Sequence, residues 1–449
     1  MPDLSRIVKA YDIRGEVPTE LNEDIARAVG AAVARVLAAR TLVTAHDMRE
    51  SSVPLSRAFA EGATSQGADV IEAGLGSTDM LYFAAGSLDL PGAMFTASHN
   101  PARYNGIKLC RAGAAPVGQD TGLAEIKAMA EQGTPAYSGA PGTISQRDLL
   151  SDYAAYLTGL VDLSGIRRLR VVVDAGNGMA GHTVPTVFAG LPIDLIPLYF
   201  ELDGSFPNHE ANPLVAENLR DLQAAVTSHQ ADIGLAFDGD ADRCFVVDEQ
   251  GAPVPPSVIT ALVAVRALAR EPGSTIIYNL ITSHAVPEIV TEHGGTPVRT
   301  RVGHSFIKAE MARTGAIFGG EHSAHYYFRD FWRADTGMLA ALHVLAALGG
   351  QDRPLSQLLT EFHRYAASGE INSTVPDAAA AAQRVADDFA RRDGVTIDHL
   401  DGLTVDLADG SWFNLRPSNT EPLLRLNVEA ADDAAMAALR DEVLALVRD

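Results

Sequence analysis

Three aspartates at alternate positions could supply oxygen ligands to a metal ion. Asp238, Asp240 and Asp242 directly follow an apolar stretch, residues 232–237, that predicts a buried strand. In extended or loop backbone such residues point the same way, and a hard divalent cation binds carboxylate oxygens. An EF-hand is excluded because Arg243 occupies its sixth position, where the turn requires glycine. The pattern predicts a Mg²⁺ site that a phosphoryl oxygen could complete.

A serine loop offers a nucleophile with two possible bases. Residues 93–96 predict a short apolar strand that leads to Ser98, and the Asn-Pro pair at 100–101 indicates a turn. A serine hydroxyl is a weak nucleophile that requires activation by a base or a metal ion. His99 or Lys108 could act as the base, and Lys108 as a cation could instead hold a phosphate. From the spacing alone, an ordinary polar turn is the alternative.

A loop near the C-terminus carries the donors of a phosphate-binding site. Arg416, Ser418, Asn419 and Thr420 supply a guanidinium group, two hydroxyls and an amide, and Arg425 follows. Such a set can surround a phosphate dianion, although a plain polar turn is the alternative. No GxxxxGK[ST] motif occurs in the chain, which argues against a nucleotide-triphosphate kinase.

Another polar loop combines hydrogen-bond donors and acceptors. Glu321, Ser323 and His325 follow residues 316–318, which predict a strand. A sugar hydroxyl both donates and accepts hydrogen bonds, so this mixture suits a sugar, whereas a surface loop with ordinary histidines is the alternative.

A glycine-rich stretch indicates a different chemistry. Residues 176–181 fit GxGxxG, follow the predicted strand Leu169–Asp174, and precede Glu201 by about twenty positions, as in a dinucleotide-binding unit. A nicotinamide dehydrogenase is therefore an alternative. It leaves the aspartate triad and the C-terminal loop unexplained, and Asp174 would lie where a pyrophosphate should approach.

The composition restricts the class of partner. The chain of 449 residues has 57 acidic and 35 basic residues and a net charge of −22, which repels nucleic acid and anionic membranes. The same charge repels phosphorylated metabolites, so a sugar-phosphate site needs local cations. No apolar run approaches the roughly 20 residues that span a bilayer, and residues 1–15 lack a secretory apolar region. We expect a cytoplasmic enzyme with buried, unreactive thiols at Cys110 and Cys244.

The surrounding pattern alternates strands and helices. Residues 22–39 predict a helix, residues 41–45 a buried strand and residues 53–66 another helix. This order restarts at Leu169–Asp174 and again after the proline pair at 255–256. The last 85 or so residues mix strand and helix signals differently and predict a smaller α+β unit. The predicted domains are residues 1–143, 144–251, 252–364 and 365–449.

Taken together, the motifs resemble those of the α-D-phosphohexomutase superfamily, and of its phosphomannomutase/phosphoglucomutase group in particular. They run through the whole chain in the expected order. The motifs are KAYDIRG (9–15), HDMRESS (46–52), TASHNPARYNGIK (96–108), DAGNGMAG (174–181), FPNHEANP (206–213), DGDADR (238–243), VGHSFIK (302–308), GEHSAH (320–325) and RPSNTEP (416–422). The GxGxxG match then becomes a coincidence of spacing.

The resemblance implies a heart-shaped α/β protein: three similar α/β domains with mixed sheets, and a smaller C-terminal α+β domain, around a central cleft. It implies that Ser98 carries a phosphoryl group and that the three aspartates hold Mg²⁺ against it. It further implies catalytic roles for His99, Lys108 and Arg14. The implied substrate-binding residues are Tyr11, Arg243, His304, Glu321, Ser323, His325, Arg416, Ser418, Asn419, Thr420 and Arg425.

The implied activity is the interconversion of hexose 6-phosphate and hexose 1-phosphate, of mannose or glucose, through a phosphoserine and a hexose 1,6-bisphosphate. A phosphoglucosamine mutase is the nearest alternative, and a serine-dependent phosphatase and the dehydrogenase are more remote. The expected partner is a small sugar phosphate, with neither nucleic acid nor membrane, and the expected state is a monomer or homodimer. Two positions depart from the group's pattern: His46 replaces a Gly-Arg pair, and residues 281–283 lack a lysine.

Overall fold

The computed structural model describes residues 3–417 and 423–448, and within them four β-sheets follow one another along the chain. Each sheet with its helices is called a unit below. The arrangement confirms the α/β class with mixed sheets and a different C-terminal unit.

The first unit is built on a sheet that combines parallel and antiparallel pairs. Its strands are β1 (Asp12–Glu16), β2 (Thr41–His46), β3 (Asp69–Leu75), β4 (Gly92–Phe95), β5 (Tyr104–Cys110) and β6 (Ile144–Gln146). Its helices are α1 (Glu23–Val36), α2 (Ser52–Ser65), α3 (Thr78–Ser87) and α4 (Leu123–Gln132). The strand order is β1-β5-β4-β2-β3-β6, so β6 belongs to this sheet although it lies just beyond the predicted boundary at residue 143.

The second unit repeats the plan. It begins with α5 (Leu150–Leu160) and continues with β7 (Leu169–Asp174), α6 (Ala180–Val187), β8 (Ile193–Leu198), α7 (Arg220–His229), β9 (Ile233–Phe237), β10 (Cys244–Asp248) and β11 (Pro253–Val254). The strand order is β11-β10-β9-β7-β8, which places β11 in this sheet, beyond the predicted boundary at residue 251. An edge strand can extend past the limit of a domain, so β6 and β11 do not decide where the domains end. The predicted domain limits therefore stay predictions.

The third unit repeats it again. Its elements are α8 (Pro256–Arg270), β12 (Thr275–Asn279), α9 (Ala285–Glu292), β13 (Thr296–Thr300), α10 (His304–Thr314), β14 (Phe318–Gly320), β15 (Tyr326–Phe328), β16 (Ala334–Asp335), α11 (Gly337–Gly349) and α12 (Leu355–Leu358). The strand order is β13-β12-β14-β15-β16.

The fourth unit has an antiparallel sheet covered by helices. Its elements are β17 (Ala366–Ala367), β18 (Ile371–Thr374), α13 (Ala378–Phe389), β19 (Thr396–Asp398), β20 (Leu403–Asp406), β21 (Trp412–Pro417), β22 (Leu423–Ala430) and α14 (Asp433–Arg448). The strand order is β17-β22-β21-β20-β19, with β18 also paired to β22.

A common motif explains why the first three units are similar. In each, a central strand (β2, β7 or β12) has parallel partners on both sides, and one of those partners (β4, β9 or β14) turns back into an antiparallel strand. In each unit, the carboxyl end of that partner strand (β4, β9 or β14) therefore leads into a hairpin loop. The structural repeat exists although no residue-level repeat is visible in the sequence.

The core shows how the units join. Helix α3 of the first unit is buried along nearly its whole length and packs into a core shared with the second and third units, whereas the fourth unit has its own core. Within the described part of the chain, none of the helices is long and apolar enough to cross a bilayer.

Candidate active site

The loops that carry the chemistry occupy the same place in successive sheets. The Ser98 loop joins β4 to β5, the aspartate loop joins β9 to β10, and the Glu321 loop joins β14 to β15. Each is therefore the hairpin at the end of a parallel strand, and the fold brings them together at the junction of the units. The fourth loop joins β21 to β22, and its residues Ser418, Asn419 and Thr420 lie outside the described residues.

Ser98 and the aspartate loop are in direct contact. The Ser98 hydroxyl donates a hydrogen bond of 2.8 Å to Oδ2 of Asp238. The backbone is equally close, because a Cβ added at Gly239 would lie 2.4 Å from the Ser98 carbonyl oxygen. Ser98 itself adopts a left-handed backbone with φ of 52°, which is unusual for a residue other than glycine. Close approach of the two loops thus requires a glycine at position 239.

The three aspartates fit a divalent cation. They are buried, with carboxylate oxygens within 4.8 Å of one another. Oδ1 of Asp240 and Oδ1 of Asp242 have no hydrogen-bond partner within residues 3–417 and 423–448. Because buried like charges at this separation oppose one another, they need a cation, and oxygen ligands of this kind suit a hard ion such as Mg²⁺.

Lys108 supplies one positive charge. Its Nζ lies 2.6 Å from Oδ2 of Asp240 and 2.7 Å from Oδ2 of Asp242. Burial lowers the pKa of Lys108, but the charges of Asp240 and Asp242 together outweigh it and raise the pKa well above its ordinary value. Thr78, on α3, also donates a 2.6 Å hydrogen bond to Oδ2 of Asp240.

Arg243 and His99 flank the serine from the other side. Nε of Arg243 donates to Oδ2 of Asp238 at 2.9 Å, and Nη2 lies 2.5 Å from Nδ1 of His99. A guanidinium group can only donate, so Nδ1 of His99 is the acceptor. Burial and the charge of Arg243 lower the pKa of His99 well below its ordinary value. The same Nδ1 lies 3.2 Å from the Ser98 hydroxyl.

Arg14 holds the far side of the serine loop. It is on β1, whose antiparallel partner β5 carries Lys108. Nη1 of Arg14 donates to Oδ1 of Asn100 at 2.6 Å, and Nη2 donates to Asp12 at 2.6 Å. The structure therefore brings Arg14 to the Ser98 loop.

The Glu321 loop of the third unit meets the aspartate loop. Nε2 of His325 lies 3.7 Å from Oδ1 of Asp242, and Nδ1 of His325 lies 2.9 Å from the Ser323 hydroxyl. Glu321 is buried, and its oxygens already accept hydrogen bonds from Asn279 and Tyr327. These hydrogen bonds orient the Glu321 carboxylate, and His325 is the residue of this loop that lies close to the triad.

Tyr11 and His304 bring the first and third units together. Their rings form an edge-to-face pair with centroids 4.2 Å apart. Burial lowers the pKa of His304 to about 3, so this imidazole is neutral at physiological pH. Its Nδ1 makes no hydrogen bond to any described residue.

Arg416 and Arg425 are the described part of the predicted phosphate loop. They lie opposite each other on β21 and β22, and Nη1 of Arg425 is 3.6 Å from Oε1 of Glu370. Two hydrogen bonds join the fourth unit to the third. The backbone N–H of His284 donates to Glu429 at 2.9 Å, and the backbone N–H of Val302 donates to Asp401 at 3.1 Å.

Sequence reasoning missed two residues of this site. Thr78 contacts Asp240, and the buried Arg49 donates to the carbonyl oxygens of the Ser98 loop. Arg49 belongs to the HDMRESS motif, which was a usable signal without an assigned role. Thr78 lies in an apolar stretch that gave no signal.

Protein-family models match most of the chain. Models for phosphoglucomutase/phosphomannomutase alpha/beta/alpha domains I, II and III match residues 5–136, 151–251 and 255–365, and the model for the C-terminal domain matches residues 370–446. The chain belongs to the phosphoglucomutase/phosphomannomutase family. It is a phosphohexomutase, and the resemblance drawn from its motifs is confirmed.

Relatives of this phosphohexomutase match along its whole length. A phosphomannomutase of Escherichia coli is 42% identical over 98% of both chains, and the phosphohexose mutases of Xanthomonas campestris pv. campestris are 41% identical over 97% of both. Among solved structures, a phosphoglucomutase/phosphomannomutase family protein from Burkholderia thailandensis has a TM-score of 0.90 at 33% identity, with 100% of this chain and 98% of that chain covered.

Family membership removes the dehydrogenase alternative, and the fold gives the physical reason. The glycine-rich loop packs on the aspartate loop, since Met179 N donates to Gly239 O at 2.9 Å and a Cβ at Gly178 would lie 2.7 Å from that oxygen. The glycines of this loop therefore allow two protein backbones to approach each other.

Proposed function

We propose that the protein transfers a phosphoryl group between the 1- and 6-hydroxyls of mannose phosphate, and of glucose phosphate as a second substrate. The donor is phospho-Ser98 and the intermediate is a hexose 1,6-bisphosphate. The observation that carries this proposal is the contact of the Ser98 hydroxyl with Asp238 beside two further buried carboxylates. The full-length relatives named phosphomannomutase, at 41–42% identity, favour mannose.

The aspartate triad is the proposed Mg²⁺ site. Asp238, Asp240 and Asp242 would supply carboxylate oxygens, and an oxygen carried by Ser98 would complete the set. When bound, Mg²⁺ neutralises negative charge on a transferring phosphoryl group. A structural neighbour from Aspergillus fumigatus, 14% identical, is described in complex with GlcNAc-6P and magnesium; at that identity the likeness shows the fold alone.

The chain's own residues perform the transfer as follows. The bond between phosphorus and Oγ of Ser98 breaks, a bond to the free sugar hydroxyl forms, and the hydroxyl proton passes to His99. Lys108 stays protonated, because the charges of Asp240 and Asp242 raise its pKa well above the ordinary value. Arg243 and Lys108 lie within 3 Å of the triad's carboxylates and supply the local positive charge that a chain of net charge −22 needs. The bisphosphate turns over, and its other phosphoryl group returns to Ser98.

The remaining residues bind the sugar phosphate. Sugar hydroxyls would bind to Glu321, Ser323 and His325, which offer both donors and acceptors. Tyr11 and His304 pair between the first and third units and would contact the same substrate. Arg416 and Arg425, with Ser418, Asn419 and Thr420, hold the phosphate that is not reacting. Because both phosphates pass through each position, this set must accept either orientation of the bisphosphate.

A substrate comparison tests the proposal. The purified protein is assayed with Mg²⁺ and a trace of hexose 1,6-bisphosphate on mannose 1-phosphate, glucose 1-phosphate and glucosamine 1-phosphate. We expect the 6-phosphate of mannose to form fastest, with about one phosphoryl group per chain by intact mass. Preference for glucosamine 1-phosphate would contradict the choice of sugar, and release of inorganic phosphate without isomerisation would favour a phosphatase.

The proposal includes a cytoplasmic enzyme that acts as a monomer or homodimer on a soluble sugar phosphate, with neither nucleic acid nor membrane as a partner. The support is the acidic charge, which repels polyanions. Light scattering on the purified protein measures its mass and checks the oligomeric state.

A further inference from the structure

Arg49 is a buried cation inside the Ser98 loop. Its side chain is 1% exposed. The guanidinium donates to the backbone carbonyl oxygens of Ser98 (2.9 Å), Asn100 (2.7 Å), Pro101 (3.0 Å) and Tyr104 (3.0 Å) and to the carboxylate of Asp47 (3.2 Å). The planar fork of an arginine matches this ring of acceptors, and a lysine has neither the number nor the spread of donors to do so.

The loop that Arg49 fills holds an unfavourable backbone. The left-handed φ of Ser98 is energetically unfavourable and persists only where the surroundings enforce it. Four carbonyl oxygens directed at one cation provide that enforcement, because rotation of any of these peptides would leave a buried donor unpaired. The position of the Ser98 hydroxyl therefore depends on Arg49 through the backbone.

Arg49 is itself fixed by a polar network of the first unit. Asp47 accepts from the backbone N–H of Arg49 at 3.0 Å and from the Ser52 hydroxyl at 2.5 Å. Ser52 in turn accepts from Nδ2 of Asn105 at 2.9 Å. The network joins the start of α2 to β5 and thereby fixes the position of the guanidinium group.

The second unit covers the same guanidinium. The ring of Phe206 lies 5.0 Å from it, and a Cβ at Gly204 would come within 2.7 Å of the Arg49 Cα. This segment is anchored to Asn177, whose carbonyl accepts from Asp203 N at 3.0 Å. Next to Asn177, the glycine-rich loop packs on Gly239 of the aspartate loop. Two linked segments of the second unit thus support Arg49 and the metal-binding loop.

We infer that Arg49 is the positioning residue that keeps the phosphoserine loop aligned with the aspartate triad. The inference rests on the proposed function, since it assumes transfer through Ser98. It also gives a role to the HDMRESS, DAGNG and FPNHEANP motifs: they hold Arg49 and the two loops in one arrangement. Arg49 touches neither the substrate nor the reacting atoms, so its effect must appear in the transfer step and not in sugar binding.

The test is the conservative variant Arg49→Lys in the full-length protein, with Arg57→Lys as matched control. Arg57 lies on α2, the helix that follows Arg49, and its side chain is 78% exposed. Because small misplacement of reacting groups costs about 100-fold, we expect Arg49→Lys to lower kcat by about that factor with KM changed less than about threefold. Single-turnover transfer from phospho-Ser98 should slow equally, while Arg57→Lys matches the wild type.

Thermal unfolding separates positioning from simple loss of fold. Rates are measured well below the unfolding midpoint and expressed per phosphorylated chain, so that unfolded protein does not contribute. If Arg49→Lys fails to fold, Phe206→Leu replaces it: this change keeps every Arg49 hydrogen bond but removes the aromatic face, and we expect kcat to fall several-fold at unchanged KM.

The outcomes separate the inference from the function on which it rests. A folded Arg49→Lys variant with kcat within twofold of the wild type would overturn the inference, as would a loss that lies in KM alone. If wild-type protein takes no phosphoryl group on Ser98, or if it isomerises sugar phosphates without Ser98, the proposed function fails instead.

Discussion

The hydroxyl oxygen of Ser98 and Oδ2 of Asp238 lie 2.8 Å apart although the residues are 140 positions apart in sequence. Each belongs to the hairpin loop that follows a parallel strand, in the first unit and in the second. Repetition of one strand plan thus sets two equivalent loops face to face, one with a nucleophile and one with carboxylates. Glycine at position 239 lets the two backbones meet.

Ser98→Ala should abolish mutase turnover while leaving the fold intact. The change removes the phosphoryl acceptor, whereas Asp238 keeps its hydrogen bond from Arg243. We expect activity to fall at least about 1,000-fold in a coupled assay, with unfolding midpoint and Mg²⁺ response near those of the wild type. Ser228→Ala, an exposed change on α7, is the control. Retention of a tenth of the activity would remove Ser98 from the proposed role.

Metal removal should stop turnover and lower stability. A ligand that binds only the folded state at 100 times its Kd adds about 2.7 kcal/mol to the free energy of unfolding. We therefore expect Mg²⁺ to raise the unfolding midpoint of chelated wild type but not of Asp240→Asn. The control is Asp232→Asn. Asp232 precedes β9, at the end opposite the aspartate loop, and pairs with Arg167, so this variant should keep the full Mg²⁺ response. A Mg²⁺ response in Asp240→Asn equal to that of the wild type would contradict the site.

Lys108→Met should destabilise the metal-free protein strongly. Removing one partner of a buried ion pair costs about 3–5 kcal/mol, and here Asp240 and Asp242 both lose their cation. Added Mg²⁺ should restore part of this loss, because it neutralises the same carboxylates. Urea unfolding with and without Mg²⁺ measures both effects. Lys127→Met, which breaks a partly exposed pair with Glu131 at 3.8 Å, should change stability by less than about 1 kcal/mol. Equal effects of the two lysine changes would refute this explanation.

Asp79 should make stability depend on pH. Burial raises its pKa from 3.8 to about 6, although hydroxyls of Ser77, Thr336 and Tyr153 donate to it. Because the folded state holds this proton more tightly, the stabilisation is full below about pH 4 and is lost as pH rises through 6. The free energy of unfolding of the wild type, minus that of Asp79→Asn, should fall by about 1.4 kcal/mol from pH 5 to pH 8.

Urea unfolding across this pH range checks the effect of Asp79. Asp89→Asn, at an exposed position just beyond the same helix, is the control and should show no such trend. Stability curves of wild type and Asp79→Asn that run parallel from pH 5 to pH 8 would show that Asp79 does not titrate there.

Hydrophobic periodicity predicted the helices that have one apolar face and the strands that form a continuous apolar run. The predicted strand Leu169–Asp174 coincides with β7, and the predicted strand 41–45 lies within β2. Helix α1 lies within the predicted helix 22–39 and has Asn22 as its cap. Helix α3 was missed because it is buried on all sides and shows no amphipathic period. The strand predicted at 316–318 begins two residues later, at Phe318.

The candidate site was predictable only where residue type and local order carry the chemistry. The aspartate triad and the Ser98 loop could be found from their motifs. Arg49 could not be assigned, because its acceptors lie 49–55 positions away and are backbone carbonyls, which no residue pattern encodes. The hydrogen bonds that orient Glu321 were equally hidden, since Asn279 and Tyr327 come from other strands.

Transfer of a labelled phosphoryl group from Ser98 tests the central claim most directly. Protein carrying radiolabelled phosphate on Ser98 is mixed with mannose 1-phosphate and Mg²⁺, and the reaction is quenched on the millisecond scale. We expect the label to appear first in the hexose bisphosphate and then in mannose 6-phosphate, at a rate no slower than turnover. Label that stays on the protein while isomerisation proceeds would contradict it.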